Sequence, residues 1–135
     1  MKISEIMISA PISIAPSDPV RVAKRRMAEH SIKHLPVVDE NGILIGILTD
    51  RDIKMRQAVS DNPEFHDTAT AGTVAVTNPY TVAPDTPAGK VLRVMVEQHI
   101  GSALVVEDGM LLGIFTSMDA CRVLADYVEQ AGHAR

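Results

Sequence analysis

The chain has 135 residues, a net charge of −4, 46% hydrophobic and only 3% aromatic residues, with no Trp. An acidic chain lacks the counterion-release drive behind nucleic-acid binding, and so few rings give no base-stacking platform, so no nucleic-acid partner is expected. No run of about 18 apolar residues marks a membrane span, Met1-Lys2-Ile3-Ser4-Glu5 does not resemble a secretory signal, and the single Cys121 fits a reducing compartment; the expected home is the cytoplasm.

The first element is an extended piece, Pro11-Ile12-Ser13-Ile14-Ala15-Pro16. A helix follows, with Ser17 or Asp18 as its cap and Pro19 in its first turn. Val20, Ala23 and Met27 recur at helical spacing, while Arg21, Lys24, Arg25 and Arg26 read as its solvated face. His34 to Val38 and Ile43 to Leu48 flank the turn Asp39-Glu40-Asn41-Gly42, and Asn-Gly between apolar runs signals a hairpin. A second helix opens at Thr49. Residues 58–72 are polar and turn-rich, the composition of a connector.

Beyond it the chain repeats itself. Pro79-Tyr80-Thr81-Val82-Ala83-Pro84 lies 68 residues after its counterpart, and the offset continues through Met95, Ile100 and Val105-Val106. After the turn Glu107-Asp108-Gly109 the offset drops to 67, bringing Gly113-Ile114-Phe115-Thr116 over Gly46-Ile47-Leu48-Thr49. Each copy reads β-α-β-β-α, an α/β (α+β) pattern, with the first copy at 1–57 and the second at 73–135. A copy of about 60 residues buries both faces of a small sheet with difficulty. Two copies packed together as one pair are therefore expected.

The constellation that carries chemistry is Gly46-Ile47-Leu48-Thr49-Asp50-Arg51-Asp52, repeated as Gly113-Ile114-Phe115-Thr116-Ser117-Met118-Asp119. Thr-x-x-Asp at a helix start matches a capping box and places negative charge at the positive end of the helix dipole. That role needs no ligand. The glycines add a second possibility, since a glycine inside a strand suggests close approach by a ligand or by another backbone. A carboxylate beside a hydroxyl can also accept both O–H groups of a ribose diol, with helix N–H groups near for phosphate.

The doubled pattern resembles the cystathionine β-synthase-type (CBS) domain family, whose pairs (Bateman modules) are two-fold pseudo-symmetric and often bind adenosine nucleotides between their copies. Both motifs match the family's ribose signature, and Leu35-Pro36-Val37-Val38-Asp39 is a further landmark. The resemblance implies that Thr49 and Asp52 hold ribose in one site, and Thr116 and Asp119 in the other. Ser13, Ile14, Lys33, His34, Leu35 and Pro36 would line the first adenine pocket, and Thr81, Val82, Gly101, Ser102, Ala103 and Leu104 the second. Arg51, facing phosphate, is replaced by Met118 in the second copy, so unequal sites are expected.

His30, His34, His66, His99 and His133 show no tight ligand spacing for a metal, Cys121 has no paired base, and no catalytic set emerges. Neither enzymatic activity nor a required cofactor is expected. In the final helix Ala120, Cys121, Leu124, Ala125 and Val128 form one stripe, suited to core packing or to a dimer surface. The family resemblance points to a homodimer. Two functions follow: a sensor in which an adenosine nucleotide (AMP, ADP, ATP, NAD or S-adenosylmethionine) regulates an unidentified protein, or a constitutive assembly module with the motifs acting only as caps.

Overall fold

A computed structural model describes residues 1–133; residues 134 and 135 of the second copy lie outside the described residues. After a 3-10 turn at Ile3–Glu5, the order is β1 (Ile8–Ser9), α1 (Val20–His30), β2 (His34–Val38), β3 (Leu44–Thr49), α2 (Asp50–Ala58), α3 (Phe65–Thr68) and α4 (Ala71–Val74). Then come β4 (Thr81–Val82), α5 (Ala88–Gln98), β5 (Ser102–Glu107), β6 (Met110–Thr116) and α6 (Ser117–His133). The fold is mixed α and β. The elements form two compact units, one of Ile12–Pro79 with Gly109–Leu111, the other of Met1–Pro11, Tyr80–Asp108 and the chain from Leu112 onward.

In the first-repeat unit, α1 buries Val20, Ala23 and Met27 against Leu35, Val37, Leu48 and Ile53. Its start differs from the sequence expectation. Pro19 occupies the cap position with no side-chain hydrogen bond there, and the Val20 N–H donates instead to the Ala69 carbonyl at 2.9 Å. Asp18 turns back to accept from the Ala15 N–H. Strands β2 and β3 pair antiparallel, with His34 opposite Thr49. The hairpin turn is fixed by Asp39 Oδ1, which accepts from the N–H groups of Asn41 and Ile43, and by Gly42 at φ 82°. The Ser13 segment forms a single parallel bridge, Ile14 to Val37, and not a full strand. Pro11 and Pro16 bracket it, and neither has an N–H to extend a ladder. The connector is also less polar in role than in composition: its Phe65 and Ala71 join this core, as does Val74 just beyond it.

In the second-repeat unit the sheet order is β1-β6-β5-β4, with β1 antiparallel to β6 and β4 parallel to β5. Asp108 and Gly109 both take positive φ, 51° and 79°, the geometry of a tight two-residue hairpin turn. Ile3, Val91, Met95, Ala103, Val105 and Phe115 make its core. The edge partners of the two units come from corresponding places in the sequence. Ile8 pairs with Ile114 of β6, and Val76, 68 residues later, pairs with Ile47 of β3. The opening segment of each copy therefore pairs with the edge of the sheet built by the other copy's hairpin.

Candidate functional site

Both Gly-x-x-Thr-x-x-Asp motifs lie where a strand becomes a helix. Thr49 caps α2: its Oγ1 accepts from the Asp52 N–H at 3.1 Å, and its hydroxyl donates to Asp52 Oδ2 at 2.8 Å. Asp52 Oδ1 takes no hydrogen bond from any described residue. In the second motif the Asp119 N–H lies 3.4 Å from Thr116 Oγ1, while Asp119 Oδ2 accepts from both the N–H and the hydroxyl of Thr116 at 2.8 and 3.0 Å. Asp119 Oδ1 accepts from Arg122 Nη1 at 2.9 Å, and the residue is only 4% exposed. Each helix start is tied to its sheet in the same way: Asp50 N–H donates to the Lys33 carbonyl, and Ser117 N–H to that of Gly101.

The glycines have a structural cause. A Cβ on Gly46 would collide with the Val76 carbonyl, and one on Gly113 with the Met7 sulfur and, at 2.9 Å, the Ile8 carbonyl. Of the two possibilities open in the sequence, the one realised is close approach of backbone, so the glycines are no evidence for a ligand.

Several candidate residues of the first copy converge. A cavity of about 480 Å³ is lined by Lys33, His34, Thr49, Asp50, Arg51 and Lys54, with Met55 at its wall. Lys54 pairs with Asp50 at 2.9 Å. Asp52 is not itself among the lining residues but accepts from the hydroxyl of Thr49, which is. Ser13 and Ile14 line a different hollow of about 500 Å³ with Asp18, Arg26 and Asp39. The Ser13 carbonyl accepts from Arg26 Nη1 at 2.7 Å. The side chains of Ile14, Leu35 and Pro36 are in the core, so only their backbone could meet a ligand.

In the second copy Thr81 and Gly101 are exposed, Val82, Ser102 and Thr116 half-buried, and Ala103 and Leu104 fully buried. The cationic positions Lys33, Arg51 and Lys54 correspond there to Gly101, Met118 and Cys121. Lys54 and the Met55/Arg122 position escape a reading of the motif alone; their signal is the helical spacing from Thr49 and Asp52. Among the described residues no group of three or more His, Cys, Asp and Glu side chains is placed to hold a metal ion. No described helix is long and apolar enough to cross a membrane.

Residues 3–58 and 71–126 each match the CBS domain family. The chain is 32% identical over 124 residues to hypoxic response protein 1 of Mycobacterium tuberculosis, covering 91% of this chain and 85% of that one. Its fold resembles the crystal structure of AcuB from Vibrio cholerae, with a TM-score of 0.88, 27% identity and coverage of 100% and 98%. It also resembles a CBS domain pair solved in complex with 5′-methylthioadenosine and S-adenosyl-L-methionine, with a TM-score of 0.79, 30% identity and coverage of 92% and 99%. Relatives that bear enzyme names are much longer, this chain spanning 22–24% of their length. With a duplicated β-α-β-β-α pattern, two Gly-x-x-Thr-x-x-Asp helix starts and a family match in each copy, the chain belongs to the CBS domain family.

Proposed function

We propose that this chain is a non-catalytic regulatory sensor that binds an adenosine nucleotide in its first-repeat unit. The observation that carries this reading is Asp52, whose Oδ1 has no donor among the described residues, beside a cavity bearing Lys33, Arg51 and Lys54. A ribose diol supplies two O–H donors, for which a partly satisfied carboxylate and the Thr49 hydroxyl are suitable partners. The cations would meet phosphate, and the strand from Lys33 to Pro36, with the backbone of Ser13 and Ile14, would meet the base. Thr81, Val82, Gly101 to Leu104, Thr116 and Asp119 are the second candidate set. The related pair solved with methylthioadenosine and S-adenosylmethionine supports this ligand class. Such a ligand regulates by binding one shape of the protein more tightly than another.

A second reading, constitutive assembly with the motifs as caps, is favoured by the threonine cap at both helix starts, which Asp119 completes by accepting from the Thr116 N–H. It shares one feature with the sensor: Ala120 at the start of the stripe packs against the second-repeat core, but Leu124 and Val128 farther along it, with neighbouring Tyr127, are 59%, 57% and 69% exposed. We assign this face to pairing of two copies, which light scattering would check by mass. The two readings separate in a thermal-shift panel of AMP, ADP, ATP, NAD and S-adenosylmethionine. A sensor melts at higher temperature with at least one of them, because a ligand specific for the native state stabilises it. No shift with any would favour assembly alone.

A further inference from the structure

The two motif acids differ in one partner. Asp119 is 4% exposed and has both oxygens engaged, Oδ2 by the N–H and hydroxyl of Thr116 and Oδ1 by Arg122. Arg122 stands three residues after the acid, so the helix places its guanidinium over the carboxylate. The first copy has Met55 at the same position, 57% exposed and unable to donate, and among the described residues Asp52 Oδ1 is correspondingly without a donor. A ribose hydroxyl is a neutral donor. To reach Asp119 it would have to displace a charge-assisted bond, the stronger kind, and would leave a buried carboxylate with no countercharge. At Asp52 Oδ1 no described residue has to be displaced. The Arg122 side chain is itself 59% exposed. Its position is therefore set by the acid and not by packing around it.

We propose that Arg122 is a specificity-determining residue that keeps the second motif closed to ribose diols, so that each chain takes up one adenosine nucleotide, at Thr49 and Asp52. The residue three places after the motif acid then decides which copy is open. This rests on the nucleotide-sensor reading, and an exchange of the two residues tests the two ideas separately.

The experiment is calorimetric titration of the full chain with AMP, using wild type, Arg122→Met and Met55→Arg, each first shown to be folded by circular dichroism. The wild type should bind one AMP per chain and Arg122→Met two. Met55→Arg should weaken the wild-type event by about tenfold or more, since it installs a charge-assisted competitor. Met55 is exposed, so this variant keeps the proposal open to refutation even if Arg122→Met fails to fold. Two AMP per wild-type chain, one per Arg122→Met chain, or unchanged affinity in Met55→Arg would each overturn the role of Arg122. If the wild type binds none and Arg122→Met binds one, the role of Arg122 stands and the first-site reading falls. If neither binds AMP, both fall.

Discussion

In the first-repeat unit the helix start leaves one oxygen of Asp52 with no donor among the described residues and gathers Lys33, Arg51 and Lys54 around a cavity. At the corresponding helix start of the second, Asp119 is held by Thr116 and Arg122, and Gly101, Met118 and Cys121 stand in place of the three cations. What the copies share is what any helix start needs: a Thr that accepts from an early N–H and an acid near the positive end of the dipole. What they do not share lies on the residues around that cap. A duplicated motif can thus keep its structural role in both copies while its capacity for a ligand diverges.

The largest effects should come from the glycines, where the units are alike in kind but unequal in degree. Gly46→Ala meets a backbone carbonyl, whereas Gly113→Ala meets first the movable thioether of Met7. Gly46→Ala should cost about 2–4 kcal/mol and Gly113→Ala less, read from urea unfolding midpoints. Equal losses would show that the Met7 segment is as rigid as Val76. A smaller effect separates the cations. Arg51→Met, which gives the first copy the residue of the second, should reduce the preference for AMP over adenosine by about tenfold, or roughly 1.5 kcal/mol. Calorimetry with both ligands measures it, and a retained preference would move the phosphate contact to Lys33 or Lys54.

The smallest effect concerns Tyr80, which stands where the first copy has Ile12. Burial pushes the Tyr80 phenol above its ordinary pKa. The folded state therefore favours the neutral phenol. This contribution is complete below the ordinary tyrosine value and is lost as pH rises through the raised one. Thermal melts of wild type and Tyr80→Phe should diverge only above about pH 10, the wild type falling faster. Parallel curves would remove Tyr80 from the alkaline response.

Much of this was legible in the sequence because its signals are local. Asn41-Gly42 and Asp108-Gly109 set their turns, Thr49 and Thr116 open helices as read, and the 68-residue offset aligned the copies. The exchange of Ile8 and Val76 between sheets was not legible, because β pairing over such separations leaves no mark in local spacing. For the same reason the backbone neighbours of Gly46 and Gly113 could not be told from a ligand. Phe65 sits alone in a polar stretch with no apolar period, so its place in the core was hidden by the composition around it. The Arg122 to Asp119 bond was within reach of helical spacing, but the motif drew the reading to the acid itself.

The central claim is that Asp52, and not Asp119, offers its carboxylate to a ribose. Calorimetric titration of AMP into the folded Asp52→Asn and Asp119→Asn variants tests it most directly. An amide presents a donor where the diol needs an acceptor, so Asp52→Asn should weaken binding by about tenfold or more, with Asp119→Asn binding AMP as the wild type does. Wild-type affinity in Asp52→Asn would contradict the account.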